Sequence, residues 1–367
     1  MFSPTRPYND LPPLPPAVEL ETKAVLKLCI EARAALAALK QAGHVIPNQS
    51  LLINTIPLME AQASSEIENI VTTSDRLFQL ASMETEQVDA ATREAFRYRT
   101  ALREGYETLS RRPLSTATAV AVCRTIKGSA LDIRSVPGTQ LVNDRTREAI
   151  YTPPDGEARL RSLLSNWERF VHTEELIDPL VRMAVGHYQF EAIHPFLDGN
   201  GRTGRVLNIL YLVDKGLLDI PVLYLSQYII QNKSDYYRLL LEVSTNGAWE
   251  AWILYMLEAV RSTALWTTAK IHAVRQLQEE AGQYIRDHAP KIYSKGLLDA
   301  LFFLPYTRIG TLVDAGVAHR HTASRYLSQL AELGVLQERV IGRDKLFAHP
   351  RFIELLLSDG NDVPAYP

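Results

Sequence analysis

Residues 194–205 read HPFLDGNGRTGR, and no other stretch of the chain restricts its folding as much. Pro195 lacks a backbone N–H and disfavours helical geometry at the residue before it, so a helix arriving through VRMAVGHYQFEAI must stop near His194. Gly199 and Gly201, on either side of Asn200, permit positive φ, which lets consecutive amide N–H groups turn inward as an anion nest. Helical spacing resumes at about Arg202, and a helix starting there adds the positive end of its dipole to the same spot. The chain therefore has to bring two helices together around a polar loop that attracts anions.

Three familiar readings of this stretch fail on context. Gly199, Gly201 and Gly204 satisfy GxGxxG, but the dinucleotide fingerprint needs a preceding strand and the residues before His194 have helical periodicity. A phosphate-binding P-loop needs Lys and Ser or Thr where this chain has Arg205 and Val206. His187, Glu191 and His194 share a helical face, as zinc ligands would, yet there is no HExxH pattern and Pro195 ends the helix beside the last of them.

What remains suits phosphoryl chemistry. Arg202 and Arg205, three apart on the first helical turn, project toward one side and could clamp a polyphosphate. Asp198, just before the nest, could hold Mg2+ or Mn2+ against the phosphates. Histidine has a reference pKa of about 6.5, which suits His194 to taking a proton from a hydroxyl at neutral pH. The run resembles the signature of the Fic family, which is HPF, two variable residues, GNGR, two variable residues and arginine, and every fixed position is matched.

That resemblance implies a mainly α fold, a Fic-type helical bundle with a small β-hairpin flap. It implies a protein adenylyltransferase that moves AMP from ATP to Ser, Thr or Tyr hydroxyls of target proteins and of itself. His194 would be the general base and Asp198 the metal ligand. Asn200 with the amides of Gly199 and Gly201 would hold the α-phosphate. Arg202 and Arg205 would meet the β- and γ-phosphates, with Thr203 and Gly204 completing the loop. Residues 136–152, rich in turn and β-prone residues, would be the flap that pairs with an extended target segment, although a plain surface hairpin fits the same residues. Tyr236 and Tyr237 resemble the family's contact to the nucleobase, and a core position is the usual alternative for aromatics on a helix. Transfer of UMP, phosphate or phosphocholine, and removal of AMP, stay open within the family.

A second motif lies upstream. Ser64 and Glu68 are four apart on one helix face, and SSEIEN fits the family's inhibitory pattern of Ser or Thr, three residues, Glu, then Gly or Asn. The resemblance implies that Glu68 pairs with Arg205 and keeps it from a γ-phosphate. The helix is expected over about 57–69, with Pro57 in its first turn and Asn69 as a left-handed cap.

The 367 residues suggest more than one core. The expected division is an N-terminal helical region over 1–110, a catalytic core over 111–270 and a unit over 285–367. In that last unit, helix-turn-helix spacing followed by two β-prone strips around Gly342 suggests a winged helix. Arg320, His321, Arg325, Arg339, Arg343 and Lys345 could meet DNA phosphates there, which would suit a DNA-binding regulator that senses ATP. Asp314, Glu332, Glu338 and Asp344 dilute the strip, which favours protein contact or packing of a homodimer over DNA. A net charge of -3 provides no general pull toward nucleic acid. Cys29 and Cys123 lack metal spacing, the N-terminus lacks a signal core and no run is long enough to span a bilayer, so a cytoplasmic, membrane-free protein is expected.

Overall fold

The computed structural model describes residues 2–45, 49–83, 88–143, 145–173, 176–341, 344–363 and 365–366. Gly342 and Arg343, two of the residues read as a wing, lie outside them.

Two helices form the centre. α7 (Pro179–Ile193) and α8 (Asn200–Asp214) are buried on nearly every face, with His194 and the glycine loop between them. Helices apolar all round belong in a core, and others surround this pair. These are α2 (Ser50–Ile67), α4 (Ala90–Leu109), α5 (Thr116–Lys127) and α6 (Glu157–Thr173). α5 has sharp limits: Ser115 and Thr118 form a capping box at its start, and Gly128 takes φ 62 at its end. The flap is a minimal antiparallel pair, β1 (Leu141–Val142) with β2 (Ala149–Tyr151). The N-terminal arm fastens its base, since Tyr8 N–H donates to the Thr152 carbonyl at 2.9 Å and the Thr152 hydroxyl to that of Pro4 at 2.6 Å.

Two helix boundaries differ from expectation. α2 begins at Ser50, a full two turns before Pro57, which sits inside the helix. Proline there removes one backbone bond and costs about 3 kcal/mol. Leu51, Leu52, Ile56, Leu58 and Met59 are all buried across it, and that burial outweighs the lost bond. The second difference is α11, which runs unbroken from Trp249 to His288, through the expected boundary near 270. Its buried positions continue from Trp252 to Ile285, so one apolar stripe serves the central helices first and the C-terminal unit afterwards.

The C-terminal unit comprises α12 (Lys295–Leu301), β3 (Tyr306–Thr307), α13 (Ile309–Asp314), α14 (Arg320–Glu332), β4 (Gln337–Ile341), β5 (Asp344–Ala348) and α15 (Pro350–Leu357). Its antiparallel sheet has the order β3-β5-β4. It is docked on α3 (Ser74–Ser82): the Tyr306 hydroxyl donates to Asp75 at 2.7 Å, and Ser82 Oγ donates to the Tyr306 carbonyl at 2.9 Å. Lys270 of α11 is wholly buried, and its ammonium donates to the carbonyls of Leu355, Ser358 and Gly360 at 2.7, 2.9 and 2.6 Å. That ammonium satisfies the orphan carbonyls at the end of α15. Among the described residues no helix is long and apolar enough to cross a membrane.

Lys270→Met, which keeps the stem and removes the donor, should destabilise the C-terminal unit by about 2 kcal/mol, since buried carbonyls lose a charged partner. The check is a urea titration alongside proteolysis of the C-terminal residues.

Candidate active site

α7 ends because His194 takes φ 49, ψ 60, a left-handed conformation costly for a residue with a Cβ. Arg134, itself buried, holds that turn. Its Nε donates to the His194 carbonyl at 2.8 Å, its Nη2 donates to the carbonyls of Ile193 and Pro154, and its own N–H donates to Pro195 at 2.9 Å. Burial, with the Arg134 charge added, pushes the His194 imidazole down to about 4. The ring is therefore neutral at pH 7 and able to accept a proton.

The loop that follows is closed by Asn200, whose Oδ1 accepts from Phe196 N–H and whose Nδ2 donates to the Phe196 carbonyl, both at 2.8 Å. Its side chain is thus committed to the loop and turned from any phosphate. Gly199 has φ 86, and the Thr203 N–H closes the first helical turn onto its carbonyl at 3.0 Å. Thr203, grouped with the phosphate-binding residues of the loop, is fully buried, so neither its hydroxyl nor its N–H faces outward. The first N–H groups of α8, at Asn200, Gly201 and Arg202, have no intrahelical partner and form the nest. Two glycines serve close approach. A Cβ on Gly201 would strike the Glu68 carboxylate, and one on Gly204 the carboxyl of Glu191.

The two arginines point to different partners, which corrects the picture of a single clamp. Arg205 is fully buried against α2, where its Nε donates to Ser64 Oγ at 2.8 Å. Its Nη2 donates to the Ser64 carbonyl at 2.9 Å and to Glu68 Oε1 at 2.8 Å. Glu68 stands just past the helix end, fixed by Asn69 in the expected left-handed conformation at φ 61. Arg202 is enclosed on the other side, 2.6 Å from Glu94 of α4 and 3.5 Å from Asp198. Asp198 also pairs with Lys127 of α5 at 2.6 Å. Among the described residues no group of three His, Cys, Asp or Glu side chains could hold a metal ion.

Burial and the electrostatics around Arg205 shape the rest. Glu191 is pushed up to about 8 by burial, so it is largely protonated at neutral pH; His187 is pushed down to about 3 by burial and by Arg205. His187 bonds the Tyr236 hydroxyl through Nε2 at 2.8 Å. Tyr236 is 1% exposed and tilted against Trp252, so its ring is core and has no face for a nucleobase. Tyr237, 42% exposed, does face the cavity. This cavity of about 870 Å³ lies between Glu68, the flap residues Leu141 and Ile150, Lys233 and Tyr237, a size that suits a nucleotide.

Glu94, Lys127 and Arg134 had no signal in the sequence because they come from separate elements and meet the loop only in space.

Three family models cover most of the chain: the Fic/DOC family N-terminal model over residues 26–107, the Fic/DOC family model over 113–212, and the C-terminal domain of SoFic-like protein adenylyltransferases over 277–352. The chain belongs to the Fic/DOC family. Among curated relatives, the protein adenylyltransferase Fic of Culex quinquefasciatus is 33% identical over 144 residues, 37% of this chain and 27% of that protein. That of Drosophila erecta is 30% identical over 139 residues, 35% of this chain and 27% of that protein. The match thus spans about a quarter of either relative. A Fic family protein from Desulfovibrio desulfuricans G20 shares the fold over 90% of this chain and 97% of its own, with a TM-score of 0.57 and 20% identity. A Fic domain containing signaling protein from Bacteroides thetaiotaomicron does so over 68% and 95%, with a TM-score of 0.51 and 17% identity.

His194 should titrate in NMR near pH 4. A lowered pKa in the folded state means that the neutral ring persists below about 6.5 and is lost only as pH falls through 4. Arg134→Gln, which removes the nearby positive charge, should move the midpoint upward.

Proposed function

We propose that this protein transfers AMP from ATP to hydroxyl groups of target proteins and of itself, and that Glu68 restrains it at rest. The observation that carries the reading is Arg205, the last arginine of the loop, enclosed by Ser64 and Glu68 while a neutral His194 stands at the loop's other end. The amides at the start of α8 would hold the α-phosphate, and His194 would take the proton as the target oxygen bonds to the α-phosphorus. The bond to the β-phosphate bridging oxygen breaks and pyrophosphate leaves. Arg205 meets the γ-phosphate only after Glu68 releases it, and Tyr237 lines the side assigned to adenine.

Asp198 is an exposed carboxylate beside the nest, and its hard oxygens fit Mg2+ or Mn2+ when the nucleotide supplies further ligands. When bound, the ion would neutralise phosphate charge. The flap strands offer edges for a target segment. A cytoplasmic site of action suits the two buried free thiols, Cys29 and Cys123.

We read the C-terminal unit as a winged helix on its element order and three-stranded sheet. Protein contact suits it better than DNA, because Arg339 is committed to the Tyr306 hydroxyl at 3.2 Å and Lys345 to Glu338 at 2.9 Å. Among the described residues of that strip, this leaves Arg320, His321 and Arg325 exposed.

With α-labelled ATP, Glu68→Gly should raise incorporation by about tenfold or more, the order expected when a charged hydrogen bond no longer competes; an unchanged rate would overturn the restraint. His194→Ala should abolish transfer in that background while ATP still binds by calorimetry, and persistent labelling would remove His194 as base.

A further inference from the structure

Of the charge network behind the loop, the reaction as proposed uses Asp198 and leaves Lys127 and Glu94 without a task. Lys127 ends α5, and its stem lies on the glycine turn, so that a Cβ on Gly199 would stand 3.4 Å from its Cγ and Cδ. Its ammonium is 2.6 Å from Asp198 and 2.6 Å from Glu94, and Glu94 is 2.6 Å from Arg202. Two carboxylates and two cations therefore balance here with no ligand present. The four differ in freedom. Arg202 is 2% exposed, Lys127 20% and Glu94 23%, whereas Asp198 is 61% exposed. Arg202 is the enclosed end of the network, and Asp198 is the end that faces solvent beside the nest.

We propose that Lys127 is a further nucleotide-phosphate-binding residue, positioned by Glu94 and stored on Asp198 until a polyphosphate arrives. An ammonium on a four-carbon stem can swing between acceptors, which the planar, enclosed guanidinium of Arg202 cannot do. A phosphate seated on the amides of Gly201 and its neighbours lies beside that stem and carries more charge than the single, largely solvated Asp198 carboxylate. Glu94 stays in place and keeps the ammonium from leaving the site altogether. The transfer also frees Asp198, so the same movement that adds a cation to the phosphates releases the carboxylate suited to a divalent ion. A strut that merely ties α5 to the loop would predict no such exchange.

The inference rests on the proposed nucleotide site, and the test separates the two. In a Glu68→Gly, His194→Ala background, which cannot turn over, ATP binding is measured by calorimetry in EDTA, and Mn2+ binding without nucleotide by electron paramagnetic resonance. Lys127→Met should bind ATP about tenfold more weakly, the loss of one charge-assisted hydrogen bond, and with a shallower dependence on KCl. Lys127→Arg should recover most of the affinity, which answers for folding. Mn2+ should bind Lys127→Met more tightly than the parent, because Asp198 has lost its competing ammonium. ATP affinity within twofold of the parent, or Mn2+ affinity that is unchanged or weaker, overturns the role of Lys127 alone. A parent that does not bind ATP overturns the nucleotide site as well.

Discussion

Arg205 is a guanidinium with 1% exposure, and the helices on its side of the loop answer to that fact. A buried cation is tolerated only when acceptors surround it, so the folded state needs Ser64 and Glu68 in place whenever no ligand is present. The acceptors come from α2, a helix that the loop itself does not contain. Glu60, two turns earlier on α2 and fully buried, sets that helix: it accepts from the Tyr98 hydroxyl of α4, and from the Ser226 N–H at the start of α9 (Leu225–Gln231). The N-terminal helices and the glycine loop are thus one electrostatic unit.

The same charge organises the ionisation states nearby. Burial alone would neutralise every titratable group in this region. Arg205 works with burial on His187 and against it on Glu191, whose pKa is raised in spite of the nearby cation. His194 is held neutral by burial and by Arg134, a different arginine, whose hydrogen bonds also shape its backbone. Arg134, which touches neither the nest nor α2, thus adds to the effect of burial on the His194 ring and also sets its backbone geometry. The loop is served from three sides, by α2 on Arg205, by α4 and α5 on Arg202 and Asp198, and by the segment before the flap on His194.

How much was legible follows from how local each requirement is. The stop at His194, the glycine turn, and the left-handed Asn69 are written in adjacent residues, because proline and glycine act on their own backbone. The pairing of Glu68 with Arg205 was legible as a motif, although 137 residues separate the partners. Pro57 misled because burial of its apolar neighbours overrode a local signal. Tyr236 and Tyr237 could not be told apart in the sequence, since adjacent helical residues point in different directions and only the packing of Trp252 shows which is inside. The length of α11 was hidden for a similar reason, because its second half has no partner until the C-terminal unit folds against it.

By itself, the sequence determined the helix-loop-helix with its anion nest, because this depends on residue chemistry and backbone rules within a few positions, and its resemblance to a family motif pointed to the carboxylate that meets Arg205. Tertiary structure alone decided which way each arginine points, which tyrosine faces the cavity, and that Glu94, Lys127 and Arg134 belong to the site. Those outcomes depend on desolvation and on charge meeting charge across elements remote in the chain, and only a folded chain brings them within a few ångströms.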